Sequence, residues 1–264
     1  MKQSRQPGWN PTRRNRNIGT AKQGHGQDNR LTIPDDWHNY RMFWERLTRF
    51  KAIFREIGRH KVTFLVERTR ANSYHACTVD DVFHVLDHMP FADARNIDLV
   101  ILRQPKRKEE ILNRAWGRLA FYAEVGDYSG TAIILEAMEP SGSILWRRSV
   151  DPEDVKELER IRADGDQISV TKRGYEITTS LESIRARQLY RTVPHEIGHY
   201  VDFRRMSHEQ WESKPSIEKE AFAHRYADTM RNQLIKEGVI PFERKLISQS
   251  IVSEGLCLSD FCPA

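Results

Sequence analysis

Cysteine is scarce in this chain, long apolar runs are missing, and the charge excess is small; each shortage removes a class of protein. Cys77, Cys257 and Cys262 are the only cysteines among 264 residues, and an odd, sparse set makes a poor disulfide framework, so free thiols are expected. No apolar stretch reaches the roughly 18 residues of a membrane helix, and the N-terminus lacks the short apolar core of a secretory signal. A cytoplasmic, bacterial-type protein with no membrane partner is therefore expected. A hydrophobic fraction of 39% against 30% charged residues suits a folded globular chain with a polar surface.

The net charge of +5 is unevenly placed. Lys2, Arg5, Arg13, Arg14, Arg16, Lys22 and Arg30 stand against Asp28 in residues 1–30, so this segment holds more than the whole excess. Rich in Gly, Asn and Gln, it buries little apolar surface and reads as a disordered basic tail. Weak electrostatic binding of nucleic acid or an acidic partner is the function such a tail allows, and it supports an alternative reading of the chain as a non-catalytic or latent scaffold with a regulatory role.

After the tail, Pro34, Asp35 and Asp36 supply helix-start chemistry, and Trp37, Tyr40, Phe43, Trp44, Leu47, Phe50, Phe54 and Ile57 follow at three- and four-residue steps. This spacing predicts a long amphipathic helix. A strand is expected at 62–66, a helix over 78–89 that stops at Pro90, a strand at 97–102, a helix over 106–116, strands at 119–125 and 131–137, a helix over 152–162 and a hairpin of 167–171 with 175–179. From Leu181 onward the pattern turns helical: 181–191, the segment around His195, and a long helix over 215–236. Strands followed by helices indicate an α+β class. The expected organisation is a 1–30 tail, a 31–95 region of helix and strand, a 96–242 domain carrying the chemistry, and a 243–264 tail. His84 and His88, four apart with Asp87 nearby, make a second metal site conceivable, although no further ligand accompanies them.

The chemistry is carried by Val193 to Asp202, which contains His195-Glu196-Ile197-Gly198-His199. On a helix, residues four apart lie about 40° apart in direction and one turn apart in height, so both imidazoles can reach one ion. Glu196 sits to the side of that pair, where it can hold a water and take its proton without ligating the metal. A His-Glu-x-x-His match arises by chance in about 3% of chains of this composition, so the motif needs a third ligand to become specific. The position six residues after His199 is Arg205, which cannot ligate a cation and excludes the metzincin arrangement.

A later helix offers Glu218 and Glu220. Two residues are about 200° apart on a helix, so only one can face the metal. Glu220 is preferred, because Ala221 and Ala223 beside it, and Gly198 opposite, are small enough for the two helices to approach closely; Glu218 suits the first turn of a helix dipole. Asp202 lies on the histidine face and is either a carboxylate that orients an imidazole or a surface acid. His224, one turn beyond Glu220, is a candidate catalytic residue for stabilising the oxyanion, with Tyr226 and Tyr200 as alternatives that also suit plain packing. Pro194 cannot donate a helix hydrogen bond, so the helix either starts or bends there.

Glu220-Ala221-Phe222-Ala223-His224-Arg225-Tyr226-Ala227 resembles the Glu-x-x-Ala-x-x-aromatic-Ala helix of the ImmA/IrrE-type metallopeptidases, and its start is also similar to the lethal factor-like zincins. The resemblance covers residues 95–236 in outline, with specific motifs only at 195–202 and 220–227. It implies a gluzincin-type zinc peptidase: Zn2+ held by His195, His199 and Glu220, a zincin-like α+β fold in which a small mixed sheet packs on the two active-site helices, and a protein or peptide substrate. Such a substrate is expected to lie as an added strand on an exposed sheet edge, at 131–137 or the 167–179 hairpin.

Overall fold

Residues 50–67 fold as a hairpin about the turn at Gly58, whose φ of 62° suits glycine, with an edge strand before it and an interior strand, buried on both faces, after it. Strand β1 (Phe50–Ile57) turns Ile53 and Ile57 to one face and Phe50 and Ala52 to the other. It pairs antiparallel with β2 (His60–Glu67) from Phe50↔Glu67 to Ile57↔His60. The computed structural model describes residues 42–112, 115–140, 143–150 and 152–263, all within one compact unit spanning Arg41–Ala264.

The helix expected over 37–57 is thus corrected. Phe43–Glu45 is one 3-10 turn, residues 50–57 are strand, and residues 37–41, like the basic tail, lie outside the described residues. A spacing of four keeps two residues on one face of a strand as well as of a helix, so Phe50 with Phe54, and Ile53 with Ile57, satisfy both patterns.

Helix α1 (Val79–Asp87) starts where Thr78 and Asp81 bond each other's backbone amides in a capping box. A four-residue helix α2 (Phe91–Ala94) follows Pro90 and leads into β3 (Leu99–Arg103). Helix α3 (Arg107–Leu112) is shorter than expected. Next come β4 (Gly117–Val125) and β5 (Tyr128–Glu136), joined at Gly126, whose φ of 60° suits glycine.

These strands form one mixed sheet in the order β1-β2-β3-β5-β4, with β3 parallel to both β2 and β5, and β4 antiparallel to β5. The pairing of β2 with β3 carries the sheet across position 95, so the expected division there does not separate two domains. The sheet also removes one of the two expected substrate edges, 131–137, while the 167–179 hairpin does hold an edge strand of the smaller sheet. β5 is an interior strand, every residue from Thr131 to Glu136 is buried, and the free edge at this end is β4.

One sheet face packs against α1 and the helices after Leu181, with Phe64, Val100, Leu102, Ile133 and Leu135 meeting Val85, Leu86, Val193 and Ile197. Ile251, Leu256 and Phe261 belong to this same core. The C-terminal segment is therefore part of the fold and not a tail. The opposite face buries Leu65, Leu99, Ile101 and Ile134 under Trp44, Leu47 and Phe50.

A second antiparallel sheet, in the order β6-β8-β7, is made of β6 (Ser143–Arg147), β7 (Gln167–Thr171) and β8 (Gly174–Thr178). Helix α4 (Pro152–Ala163) lies between β6 and β7 in sequence and packs Leu158 and Ile161 on Ile177. The hairpin and the helix agree with the sequence reading; β6 is an addition to it.

From Leu181 the chain is one continuous helical run. Helix α5 (Leu181–Arg187) passes through a π-turn (Gln188–Thr192) into α6 (Val193–Phe203). Helices α7 (His208–Ser213), α8 (Ser216–Lys236) and α9 (Ser248–Ser253) complete the unit, with Pro215 capping α8 from one residue outside it. No described helix is long and apolar enough to cross a membrane. The architecture is mixed α+β, as expected.

Candidate metal centre

The site begins with the π-turn. Pro194 has no N–H to give the carbonyl one α-turn back, and the helix neither starts nor breaks there; it widens, so that Val193 N–H bonds the Gln188 carbonyl five residues back. Past this point α6 runs regularly and sets His195 and His199 one above the other.

Helix α8 crosses α6 at Gly198. A Cβ there would lie 3.0 Å from Ala223 Cα and 3.2 Å from its carbonyl oxygen, so the backbones meet where both residues are small. Ala223 is fully buried. This approach brings Glu220 over the histidines: Glu220 Oε2 lies 3.3 Å from His195 Nε2, Glu220 Oε1 lies 3.5 Å from His199 Nε2, and the two Nε2 atoms are 3.0 Å apart. An ion bound tetrahedrally through bonds of about 2.1 Å separates its ligand atoms by about 3.4 Å. His195, His199 and Glu220 therefore fit one metal ion, and among the described residues no other group of three such side chains does. Glu218 is exposed in the first turn of α8 and outside this group.

Charge in the site follows from burial and crowding. Burial lowers His199 to about 4, helped by repulsion from His195 and His224, so its imidazole is neutral and ready to ligate. A hydrogen bond from His195 holds the Glu220 carboxyl below its ordinary value. Glu196 is 8% exposed, and burial raises it to about 7, with the Glu220 charge adding to the rise and His195 opposing it. The backbone at Leu119, on edge strand β4, opposes that rise and favours the charged Glu196 carboxylate.

The remaining candidates divide. The His224 ring centroid lies 4.5 Å from that of His195, and burial with the His195 charge lowers its imidazole; it borders the site. Tyr226 does not serve it: its hydroxyl donates to Asp93 at 2.6 Å, and burial and that carboxylate raise the phenol. Asp202 is buried, not a surface acid, and accepts an ion pair from Lys214 instead of orienting a ring. Tyr200 belongs to an aromatic group with Phe121, Phe203 and Trp211, where Phe121 is 4.7 Å from Phe203 and 5.5 Å from Trp211.

His84 and His88 have ring centroids 4.6 Å apart, but His88 Nδ1 is bonded to the His84 carbonyl at 2.8 Å and no third ligand among the described residues joins them. Sequence reasoning missed Leu119 and the arginines of α4 and the π-turn that line the site's inner wall. The signal for the arginines was their four-residue step to the histidines, Arg187, Arg191, His195. No protein-family model, curated protein or solved structure matches the chain.

Proposed function

We propose that the protein is a zinc-dependent peptidase. The observation that carries this reading is the convergence of His195 Nε2, His199 Nε2 and the Glu220 carboxylate within 3.0–3.5 Å of one another, beside a carboxyl raised to about 7. Two imidazoles and one carboxylate are the donor set of catalytic zinc sites that keep a position open, and the gluzincin resemblance of residues 195–202 and 220–227 agrees with it. Bound zinc would supply Lewis acidity to the scissile carbonyl and the attacking water.

Glu196 does the proton work. Its carboxylate accepts a proton as the water oxygen bonds to the carbonyl carbon, then delivers that proton to the amide nitrogen as the carbon–nitrogen bond breaks. His224 donates toward the developing oxyanion. The substrate lies extended along β4, the sheet edge that carries Leu119. The bulge between Ala120 and Ala123 ends the regular edge just beyond it.

The test uses the zinc-loaded protein and a pool of proteome-derived peptides. Glu196→Gln is expected to reduce cleavage by about 10²- to 10⁴-fold while binding zinc in the same stoichiometry. Retained turnover in that variant, or a wild-type chain that does not bind zinc, overturns the reading.

A further inference from the structure

Behind His195 and Glu196 the site opens into a cavity of about 470 Å³, within the size range of small-ligand pockets. Three guanidiniums line it, from Arg160 on α4 and from Arg187 and Arg191 around the π-turn. Arg187 is 4% exposed and spans Asp164, at 3.2 Å, and Asp166. Arg191 takes both Glu157 oxygens at 2.8 and 2.9 Å and Asp164 at 2.7 Å. Both arginines are held in close ion pairs, which dock α4 and the turn after it against the histidine-bearing helix.

Arg160 is different. Its side chain is 35% exposed, its nearest carboxylates are Glu157 at 3.5 Å and Asp228 at 3.7 Å, and it makes no hydrogen bond to any described residue. Glu157 is already engaged by Arg191, and Asp228 is 59% exposed. A guanidinium carries five donors in a planar fork that matches a carboxylate. Half-withdrawn from solvent at a cavity wall, and held only by two long ion pairs of 3.5 and 3.7 Å, Arg160 is free to turn its fork to a carboxylate. A cationic ligand would find Asp228 better solvated and Glu157 taken. Trp116, whose ring lies 4.0 Å under the Arg187 guanidinium, and Tyr190 supply apolar walls for the methylenes that lead to such a group.

We propose that this cavity is a substrate subsite that binds a carboxylate on Arg160, so that the enzyme selects peptides bearing an acidic side chain or a terminal carboxylate next to the cleaved bond. This rests on the peptidase reading, and the test keeps the two apart. Binding to the zinc-loaded protein is followed by NMR for N-acetyl-glutamate amide, whose only carboxylate is its side chain, and for N-acetyl-alanine, whose only carboxylate is terminal. N-acetyl-glutamine amide and N-acetyl-lysine amide are the neutral and cationic controls.

One acid is expected to bind at least about tenfold more tightly than the neutral control, the scale of a hydrogen bond to a charged group, and its identity gives the source of the carboxylate. Arg160→Gln should remove the difference and Arg160→Lys should keep part of it. Equal binding of acid and neutral control, preference for the lysine derivative, or a preference unchanged in Arg160→Gln because the carboxylate sits on zinc, overturns the assignment. Carboxylate-selective binding without peptide cleavage removes the peptidase and leaves the cavity assignment; cleavage with no Arg160-dependent preference does the reverse.

Discussion

Gly198 and Ala223 are in backbone contact, and the place of Glu220 over the two histidines depends on it. Glu220 reaches the histidines because a Cβ at 198 is absent where it would stand 3.0 Å from Ala223 Cα. That distance is shorter than nearly all real Cβ contacts, and the neighbour is backbone, so a methyl group there has to push α8 away from α6.

Gly198→Ala is accordingly expected to cost about 1–3 kcal/mol of stability, the usual range for overpacking, in spite of alanine's better helix propensity. It should also weaken zinc binding at least tenfold. Urea unfolding and competition with a chromophoric chelator measure the two effects. An unchanged zinc affinity would show that α8 is not positioned by this contact.

Zinc should stabilise the chain by mass action, by about 2.7 kcal/mol when its free concentration is 100 times its dissociation constant. Glu220→Gln should lose most of that gain and Glu218→Gln none of it, because Glu218 lies outside the ligand group. Thermal unfolding with and without a chelator reads the difference; equal effects of the two substitutions would contradict the choice of ligand.

Asp81 is fully buried and is the hub of three elements. It accepts the Thr78 amide at 3.1 Å, Arg185 at 3.0 and 3.2 Å, and the Lys245 amide at 2.9 Å. Asp81→Asn preserves the shape but leaves Arg185, 8% exposed, without its counter-charge, and a loss of about 3–5 kcal/mol is expected. Denaturant midpoints check this, and a loss under 1 kcal/mol would mean that Arg185 finds water.

His75 gives the fold a pH limit. It is 2% exposed, its Nε2–H donates to the Glu67 carbonyl at 2.7 Å, and burial lowers it from 6.5 to about 4. Above pH 6.5 the ring is neutral in both folded and unfolded chains, so it adds no pH dependence. Between 6.5 and 4 only the unfolded chain takes up the proton, and stability falls as pH falls, by about 3 kcal/mol over the window. Urea midpoints at pH 7.5 and 5 should show the decline, with a shallower slope in His75→Gln; an identical slope would assign the effect elsewhere.

Much of the site was legible because its chemistry is local. His195, Glu196 and His199 are fixed by helix periodicity alone, and Glu220 could be reached by asking which glutamate sits beside residues small enough for close packing. Strand order is not local. The run from Thr131 to Glu136 looks like a possible edge until its neighbours β3 and β4 are known, although its unbroken apolar character already belongs to an interior strand. Hydroxyl and carboxylate partners were hidden for the same reason: nothing near Tyr226 in sequence points to Asp93, nor anything near Asp202 to Lys214. The aromatic residues at 50 and 54 misled because a step of four fits a helix and a strand equally.

The π-turn constrains how this chain can change in length. A four-residue step overshoots one α-helical turn by about 40°, so Arg187, Arg191 and His195 would drift around a regular helix. The wide turn at 188–192 absorbs that overshoot and leaves all three on the wall of one cavity. Removing one residue from this segment would restore ordinary winding and rotate the arginines away from the histidines, with no side chain of the metal centre altered. The count of residues between Arg191 and His195 is thus as much a part of the site as the count between the two histidines, and an insertion or deletion there should shift the arginines of the cavity relative to the His195, His199 and Glu220 cluster.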